Sequence, residues 1–310
     1  MQLSINNVSK NYANVTAIKA LSFSVAQGEI FALLGPNGAG KSSIIRMITG
    51  FTKPDYGSIT LSMDGEEFDA IPSHTLGYLP EDRGLYPEKS ILKNILYFAQ
   101  LNGMEKGAAL VQADYWLTRF ELQDRKNEQL KSLSKGNQQK VQLITAVIHR
   151  PKWVILDEPF SGLDPVNQEK VVEFLSELTA KGMTVILSAH QMAMVEKLAD
   201  RILLMNKGEA VFYGSLDDFQ KQEHAHLQMR IKFNKQVSAE LTEQVLSEIE
   251  HKWLDELSLK ATLNDKITMN VLLTKLASLG EINSVTSEKR DLHQLYLDAI
   301  GNQRSAANEE

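Results

Sequence analysis

Cysteine is absent from the sequence, and long uncharged segments are absent as well. Without cysteine the chain has no disulfide, no thiolate nucleophile and no cysteine-ligated zinc or iron–sulfur centre. The longest segment without Asp, Glu, Lys or Arg covers residues 182–195. A membrane-spanning helix needs about 20 mostly apolar residues, so we expect none here. The first residues, MQLSINNVSK, lack the pattern of a secretory signal, and we expect a cytoplasmic protein.

Positive charge is scarce relative to negative charge, with 33 Lys and Arg against 39 Asp and Glu and a formal net charge of −6. Such a chain has no overall basic field to hold nucleic acid or an anionic membrane surface. Its composition is otherwise that of a globular protein, at 43% hydrophobic and 23% charged residues. This excludes collagen-like and mostly disordered chains, and 310 residues suggest about two domains.

Continuous apolar runs predict strands that are buried on both faces, at 30–34, 153–156 and 185–187. Helical patterns lie between these runs, at 91–100, 108–120, 137–148 and 166–178. Further short strands are expected at 3–8, 20–25, 201–205 and 210–213. Buried strands that alternate with helices predict an α/β fold with a parallel sheet.

The pattern changes after a polar segment at 220–226, which we interpret as a linker. A first domain would then cover residues 1–222, a small α+β domain residues 225–300, and a flexible tail residues 301–310. The second domain is expected to have strands at 227–233, 257–263, 267–272 and 282–285, and helices along 237–249 and 291–300. His224 and His226 have no third ligand nearby, so a solvated linker is favoured over a metal site.

A phosphate-binding pattern follows the first buried run. Residues 35–42, GPNGAGKS, match G-x-x-x-x-G-K-[ST] and lead into a helical segment. The glycines let backbone N–H groups face a phosphate, and the helix presents its positive end to it. Lys41 would contact the terminal phosphates, and the Ser42 hydroxyl would ligate Mg²⁺. The residues predicted to bind the nucleotide here are Gly35, Pro36, Asn37, Gly38, Ala39, Gly40, Lys41, Ser42 and Ser43.

The second buried run ends in two carboxylates, Asp157 and Glu158. At the end of such a strand Asp157 is placed to hold Mg²⁺. Glu158 is placed to orient or deprotonate a water that attacks the γ-phosphate. Alone, such a pair is as typical of a solvated strand end as of a site. Together with Lys41, it predicts nucleotide hydrolysis.

In order and spacing, these segments resemble the ATP-binding subunit of ABC transporters over residues 1–220. Residues 133–137, LSKGN, resemble the signature usually written LSGGQ, and residues 161–164, SGLD, resemble the D-loop. The resemblance implies a P-loop NTPase of the ABC type, in which an antiparallel β-subdomain and a helical subdomain accompany the parallel core sheet. It also implies that Tyr12 stacks on adenine and that His190, as the switch histidine, contacts the γ-phosphate.

In the family, two ATP molecules are held between two such domains arranged head to tail. The resemblance therefore implies a second ATP-binding subunit, either an identical chain or a paralogue. That subunit would contribute Ser134 and Gly136 to the ATP held by the first chain's phosphate loop. Asn137 in the signature and Asp164 in the D-loop are also expected to bind nucleotide.

Two departures from the family pattern change the charge near the phosphates. Lys135 and Asn137 stand where the signature usually has Gly and Gln, and Lys135 adds a positive charge, so function is expected to survive. Glu81 stands where many relatives carry the Gln of the Q-loop. Its oxygens suit Mg²⁺, but it adds a negative charge beside the γ-phosphate.

Residues 77–87, GYLPEDRGLYP, and the signature resemble an exporter subgroup that includes sodium-efflux and drug-resistance ATPases. Its members pair with separate ABC-2-type permeases, so we expect a peripheral protein on the cytoplasmic face of the inner membrane, without nucleic acid. The helix with Ile91, Ile95 and Phe98 lies where the family docks the permease, although core packing explains its apolar face equally well. The alternatives are a soluble ABC-type ATPase acting on ribosomes or DNA, and a non-catalytic regulator of the same fold.

Overall fold

The computed structural model describes residues 1–13, 15–81, 84–216, 218, 228–263, 267–288, 292, 296 and 297. The chain divides into two compact units, and the boundary between them falls between Ser215 and Leu216. The predicted linker at 220–226, with His224 and His226, and the predicted tail at 301–310 lie outside the described residues. The predicted domain boundaries at 222 and 225 also lie there and stay predictions.

The first unit is built on a six-stranded sheet. Its strands are β3 (Ile30–Leu34), β6 (Leu76–Leu79), β7 (Trp153–Asp157), β8 (Thr184–Ala189), β9 (Arg201–Asn206) and β10 (Glu209–Ser215). They lie in the order β10-β9-β3-β8-β7-β6, all parallel except for β10 at one edge. Every residue of β3, β7 and β8 is buried, which confirms the predicted parallel α/β core.

A second sheet of the same unit is antiparallel. It contains β1 (Gln2–Tyr12), β2 (Val15–Ala26), β4 (Tyr56–Met63) and β5 (Glu66–Phe68), in the order β2-β1-β4-β5. Its inner face shares one apolar core with the six-stranded sheet. In that core Phe23 of β2 stacks on Phe31 of β3, with 5.3 Å between the ring centroids. Such a pair adds about 0.5–1.5 kcal/mol beyond the burial of its area.

The helices of the first unit are α1 (Lys41–Ile48), α2 (Ile91–Leu101), α3 (Lys106–Arg119), α4 (Lys135–Val147), α5 (Pro165–Ala180) and α6 (Met192–Leu198), with 3₁₀ turns at Ser73–Thr75, Gln123–Arg125 and Leu130–Ser132. Helices α2, α3 and α4 pack against one another. Ser90 caps α2, and both Ile91 and Ile95 are fully buried, so core packing accounts for these two apolar positions. Among the described residues, no helix combines the length and the apolar character that crossing a membrane requires.

The second unit has the element order β-α-β-β-α-β. Its elements are β11 (Gln228–Phe233), α7 (Ala239–Val245), β12 (His251–Trp253), β13 (Ser258–Thr262), α8 (Met269–Leu279) and β14 (Ile282–Glu288). The strands are antiparallel in the order β12-β13-β11-β14, the arrangement called ferredoxin-like. The helix expected along 237–249 ends earlier, at Val245, and the described residues of the expected helix at 291–300 are helical.

The predicted strand at 267–272 is wrong, because this segment leads into α8. The Thr268 hydroxyl caps the helix by accepting a hydrogen bond from the Val271 N–H at 3.5 Å. The leucines that follow recur at helical spacing, and those buried in the core are Leu272, Leu276 and Leu279. A short apolar run fits the period of a strand and that of a helix equally well. Here the cap at Thr268 marks the start of a helix.

A substitution at Gly77 would test how closely β6 packs against α4. A Cβ at this position would overlap the Ala146 carbonyl of α4 and lie 2.9 Å from Pro151 Cγ. We therefore expect Gly77→Ala to lower the free energy of unfolding by about 1–3 kcal/mol, measured by denaturant titration. Gly107→Ala is the matched control, because no atom lies within 4 Å and the residue is helical. Equal denaturation midpoints for wild type and Gly77→Ala would contradict this packing.

Candidate functional site

A cavity of about 420 Å³ lies at the carboxyl ends of β3 and β7, beside the start of α1. The residues that line it are Val15, Ala17, Pro36, Asn37, Gly38, Ala39, Gly40, Lys41, Ser42, Ser43, Glu81, Asp157 and Glu158. The cavity thus brings together the predicted phosphate loop, apart from Gly35, and three predicted carboxylates. Sequence patterns did not identify Val15 and Ala17, because their small apolar side chains carry no chemical signal.

The phosphate loop depends on glycine at three positions with positive φ: Gly35 at 148°, Gly38 at 81° and Gly40 at 105°. A Cβ on Gly40 would lie 2.6 Å from the Ala17 carbonyl oxygen, and one on Gly35 would overlap the Met205 carbonyl. Gly40 is also the N-cap of α1 and offers no side-chain cap to the first turn. The positive end of α1 is therefore presented to the cavity, where it suits an anion.

Lys41 is a buried cation, with 8% of its surface exposed. Its Nζ donates hydrogen bonds to the Gly35 carbonyl at 2.8 Å and to the Pro36 carbonyl at 3.2 Å. Both acceptors are neutral, and no ion pair of Lys41 occurs within the described part of the chain. A buried positive charge of this kind strongly favours an anionic ligand.

Asp157 and Glu158 are both held by Ser188 of β8, a residue that sequence patterns missed. The Ser188 hydroxyl donates to Asp157 Oδ1, and it accepts from the Glu158 N–H at 3.1 Å. Glu158 has a positive φ of 54°, an uncommon conformation of the kind that clusters at functional sites.

Burial, and secondly the charge of Asp157, raises the pKa of the Tyr78 hydroxyl above its ordinary value.

His190 lies against the predicted general base. Its Nδ1 is 2.7 Å from Glu158 Oε2, with 59% of the His190 side chain and 15% of the Glu158 side chain exposed. The histidine is not among the described residues that line the cavity, so it meets the site through Glu158. The pair places a carboxylate with a close contact to an imidazole at the wall of the cavity.

The signature and D-loop residues are not among the residues that line the cavity of their own chain. Helix α4 begins at Lys135, two residues before the predicted start at Asn137, because Ser134 is its N-cap and accepts from the Asn137 N–H at 3.4 Å. Asp164 is the N-cap of α5, and hydrogen bonds from the Asn167 backbone and side chain lower its pKa. Gly136 lies close to the D-loop, since a Cβ there would meet Leu163 Cδ2 at 3.3 Å.

Tyr12 is also outside the cavity lining. Its side chain is 37% exposed, and Lys10 Nζ lies 5.7 Å from the centre of its ring. The strand that it ends, β1, leads into β2, which places Val15 and Ala17 at the cavity. The predicted stacking of Tyr12 on adenine stays a prediction.

The residues at the cavity fit Mg²⁺ by the chemistry of their donors. Ser42, Glu81 and Asp157 present hard oxygen atoms from three different segments. Among the described residues there is no cluster of three or more His, Cys, Asp or Glu that could hold a metal alone. This agrees with the usual behaviour of Mg²⁺, which binds one or two carboxylates together with phosphate oxygens.

Comparison with known proteins places this site in a family context. The family described as ABC transporter matches residues 18–161, which include the phosphate loop and both carboxylates at 157 and 158. The chain is 42% identical over 219 residues to an uncharacterized ABC transporter ATP-binding protein, YhaQ, of Bacillus subtilis (71% of this chain, 73% of the relative).

Similarity also extends beyond that segment. The chain is 30% identical over 306 residues to the linearmycin resistance ATP-binding protein LnrL of Bacillus subtilis, covering 96% of this chain and 98% of that one. A solved structure described as the ATP binding subunit of an ABC transporter superposes with a TM-score of 0.64 at 32% identity (72% of this chain, 93% of that chain). The second unit is thus part of the similarity to LnrL.

Ser188 is expected to stabilise the site from within the sheet. Ser188→Ala removes the donor to a buried carboxylate, so we expect the free energy of unfolding to fall by about 1–3 kcal/mol. Ser176→Ala is the control, because the exposed Ser176 hydroxyl bonds only to a carbonyl of its own helix among the described contacts. If denaturant titration gave the same loss for both variants, the hydrogen bond to Asp157 would have no stabilising role.

Proposed function

Because the chain belongs to the family of ABC transporter ATP-binding proteins, we propose that it hydrolyses ATP to drive an exporter through a separate ABC-2-type permease. Membership confirms the predicted ABC-type fold. The observation that carries the proposal is the convergence of Lys41, Asp157 and Glu158 on one cavity. These are the cation, the metal-binding carboxylate and the base that phosphoryl transfer to water requires.

ATP binding follows from the loop. The backbone N–H groups of the loop and the first turn of α1 face the phosphates, and Lys41 exchanges its neutral carbonyl acceptors for phosphate oxygens. Ser42, Asp157 and Glu81 hold Mg²⁺ in this proposal, and the metal supplies neutralisation of phosphate charge. Tyr12, which is outside the cavity lining, stacks on the adenine in this proposal.

Hydrolysis uses Glu158 as the general base. Its carboxylate accepts a proton from the water that attacks the γ-phosphate, and the bond between the γ-phosphorus and the bridging oxygen breaks so that ADP leaves. Ser188 holds the Glu158 backbone and His190 contacts its side chain. As the switch histidine, His190 also contacts the γ-phosphate in this proposal, and its side chain is 59% exposed. The retained cation and carboxylates favour a catalytic subunit over a non-catalytic regulator.

A second subunit completes the site in this proposal. Ser134, Gly136, Asn137 and Asp164 are absent from the lining of the cavity in their own chain, although the family uses such residues to bind ATP. The start of α4, whose first residue is Lys135, presents positive charge to the phosphates of a neighbouring chain. That chain is a second copy or a paralogue, arranged head to tail.

The exporter assignment rests on the motifs at residues 77–87 and on the similarity to a linearmycin resistance protein over both units. We place the protein on the cytoplasmic face of the inner membrane, bound to its permease, with residues 225–300 as an accessory domain. The net charge of −6 speaks against a nucleic acid partner. Purification of the chain from membranes, with identification of the bound integral protein, tests this; recovery with ribosomes or DNA would support the alternative.

Lys41→Ala tests the phosphate assignment. A hydrogen bond to a charged group is worth about 1.5–3 kcal/mol, so we expect ATP affinity to fall by about tenfold to a hundredfold in calorimetry. Lys53→Ala is the control, because the Lys53 side chain is 88% exposed and lies outside the cavity lining. Unchanged ATP affinity in Lys41→Ala would contradict the role of the loop.

Glu158→Gln tests the general base and the dimer together. The amide keeps the shape of the side chain but accepts no proton, so we expect phosphate release to fall at least about a hundredfold while ATP binding persists. With hydrolysis blocked, ATP should hold the protein as a dimer in gel filtration. Glu66→Gln, an exposed carboxylate in β5, serves as the control. Wild-type turnover in Glu158→Gln would remove Glu158 from this role.

A further inference from the structure

Gly208 joins two walls of the nucleotide cavity, although it lies far from both in the sequence. It occupies the turn between β9 and β10 with a φ of 83°. Its N–H donates to the Ala39 carbonyl of the phosphate loop at 3.0 Å, and its carbonyl accepts from the Lys19 N–H of β2 at 2.9 Å. A single residue therefore bonds to the phosphate loop on one side and to β2 on the other.

The contact leaves no room for a side chain. A Cβ on Gly208 would lie 2.7 Å from the Ala17 carbonyl oxygen and 3.2 Å from Ile18 Cα. Gly40 of the phosphate loop approaches the same Ala17 carbonyl from its own side, where a Cβ would lie 2.6 Å away. The Ala17 peptide is thus enclosed between two glycines, one in the phosphate loop and one in the β9–β10 turn.

We propose that Gly208 is a positioning residue that sets the spacing between the phosphate loop and the β2 wall formed by Val15 and Ala17. The proposal rests on the proposed binding of ATP. ATP carries a nucleoside in addition to its triphosphate, so in this proposal it contacts the β2 wall as well as the phosphate loop. A fixed spacing between the two walls matters for ATP and not for a ligand that consists of the triphosphate alone.

The first experiment compares two ligands on one variant. Gly208→Ala places a methyl group against Ala17, so we expect the affinity for Mg²⁺–ATP to fall at least about tenfold in calorimetry. The affinity for Mg²⁺ with inorganic tripolyphosphate should fall less than about threefold. An equal loss for both ligands, or no loss for either, would overturn the positioning role.

Gly103→Ala is a closely matched control. Gly103 lies in the loop between α2 and α3 with a φ of 82°, almost the same as Gly208, but no atom lies within 4 Å of the place that its added methyl group would take. The variant carries the same backbone strain without the contact to Ala17. We expect it to bind both ligands as the wild type does, and a loss of ATP affinity equal to that of Gly208→Ala would contradict the proposal.

A second measurement needs no variant, in case Gly208→Ala does not fold. Amide hydrogen exchange of the wild-type chain should slow at Gly208 and Lys19 by at least about tenfold when Mg²⁺–ATP is added. The Gly103 amide, bonded to the Gln100 carbonyl at 2.9 Å, should change little. Unchanged exchange at Gly208 with ATP bound would overturn the inference alone, whereas failure of the wild type to bind ATP would overturn the proposed function on which it rests.

Discussion

The buried charge of Lys41 is the constraint around which the site is organised. The residue is only 8% exposed, and its ammonium group donates to two neutral carbonyls of the phosphate loop. Water no longer solvates such a charge fully, and carbonyl dipoles compensate it only in part. The loop achieves this through glycines at positive φ, and Ser188 holds the nearby carboxylates in a separate network. The negative charge of a bound triphosphate would neutralise the Lys41 ammonium group, so neutralisation of this buried charge would accompany binding.

Local periodicity predicted the elements whose burial pattern is uniform along their length. The runs at 30–34 and 153–156 are buried on both faces, and an uninterrupted apolar segment has few other solutions. The segment at 267–272 was ambiguous, because its length suits a strand and only the cap at Thr268 reveals the helix. The strands β4, β5, β6 and β12 were not predicted. Three of them, β5, β6 and β12, have only three or four residues, which are too few to establish a period.

Some residues of the candidate site were likewise predictable from local sequence, and others were not. Lys41, Asp157 and Glu158 were predictable, because the chemistry of phosphate binding requires those residue types within short segments. Ser188 and Gly208 were not, since their roles depend on which strands become neighbours. Ser188 meets Asp157 only because β7 and β8 pair in parallel register. Gly208 meets the loop only because β9 lies beside β3. Strand order arises from the packing of the whole unit and leaves no mark on local sequence.

The N-cap of α4 bears on how easily a phosphate could bind to this helix end and leave it again. The Ser134 hydroxyl already accepts from the Asn137 N–H, at the long distance of 3.4 Å. A phosphate that arrived at this helix end would replace an internal acceptor rather than occupy bare donors, and on its departure the serine would take its place again. In the proposed dimer, the Asn137 N–H would therefore have an acceptor both before and after contact with the second subunit. If the two subunits separate after each hydrolysis, as the proposed function requires, this N–H is not left without an acceptor when they part.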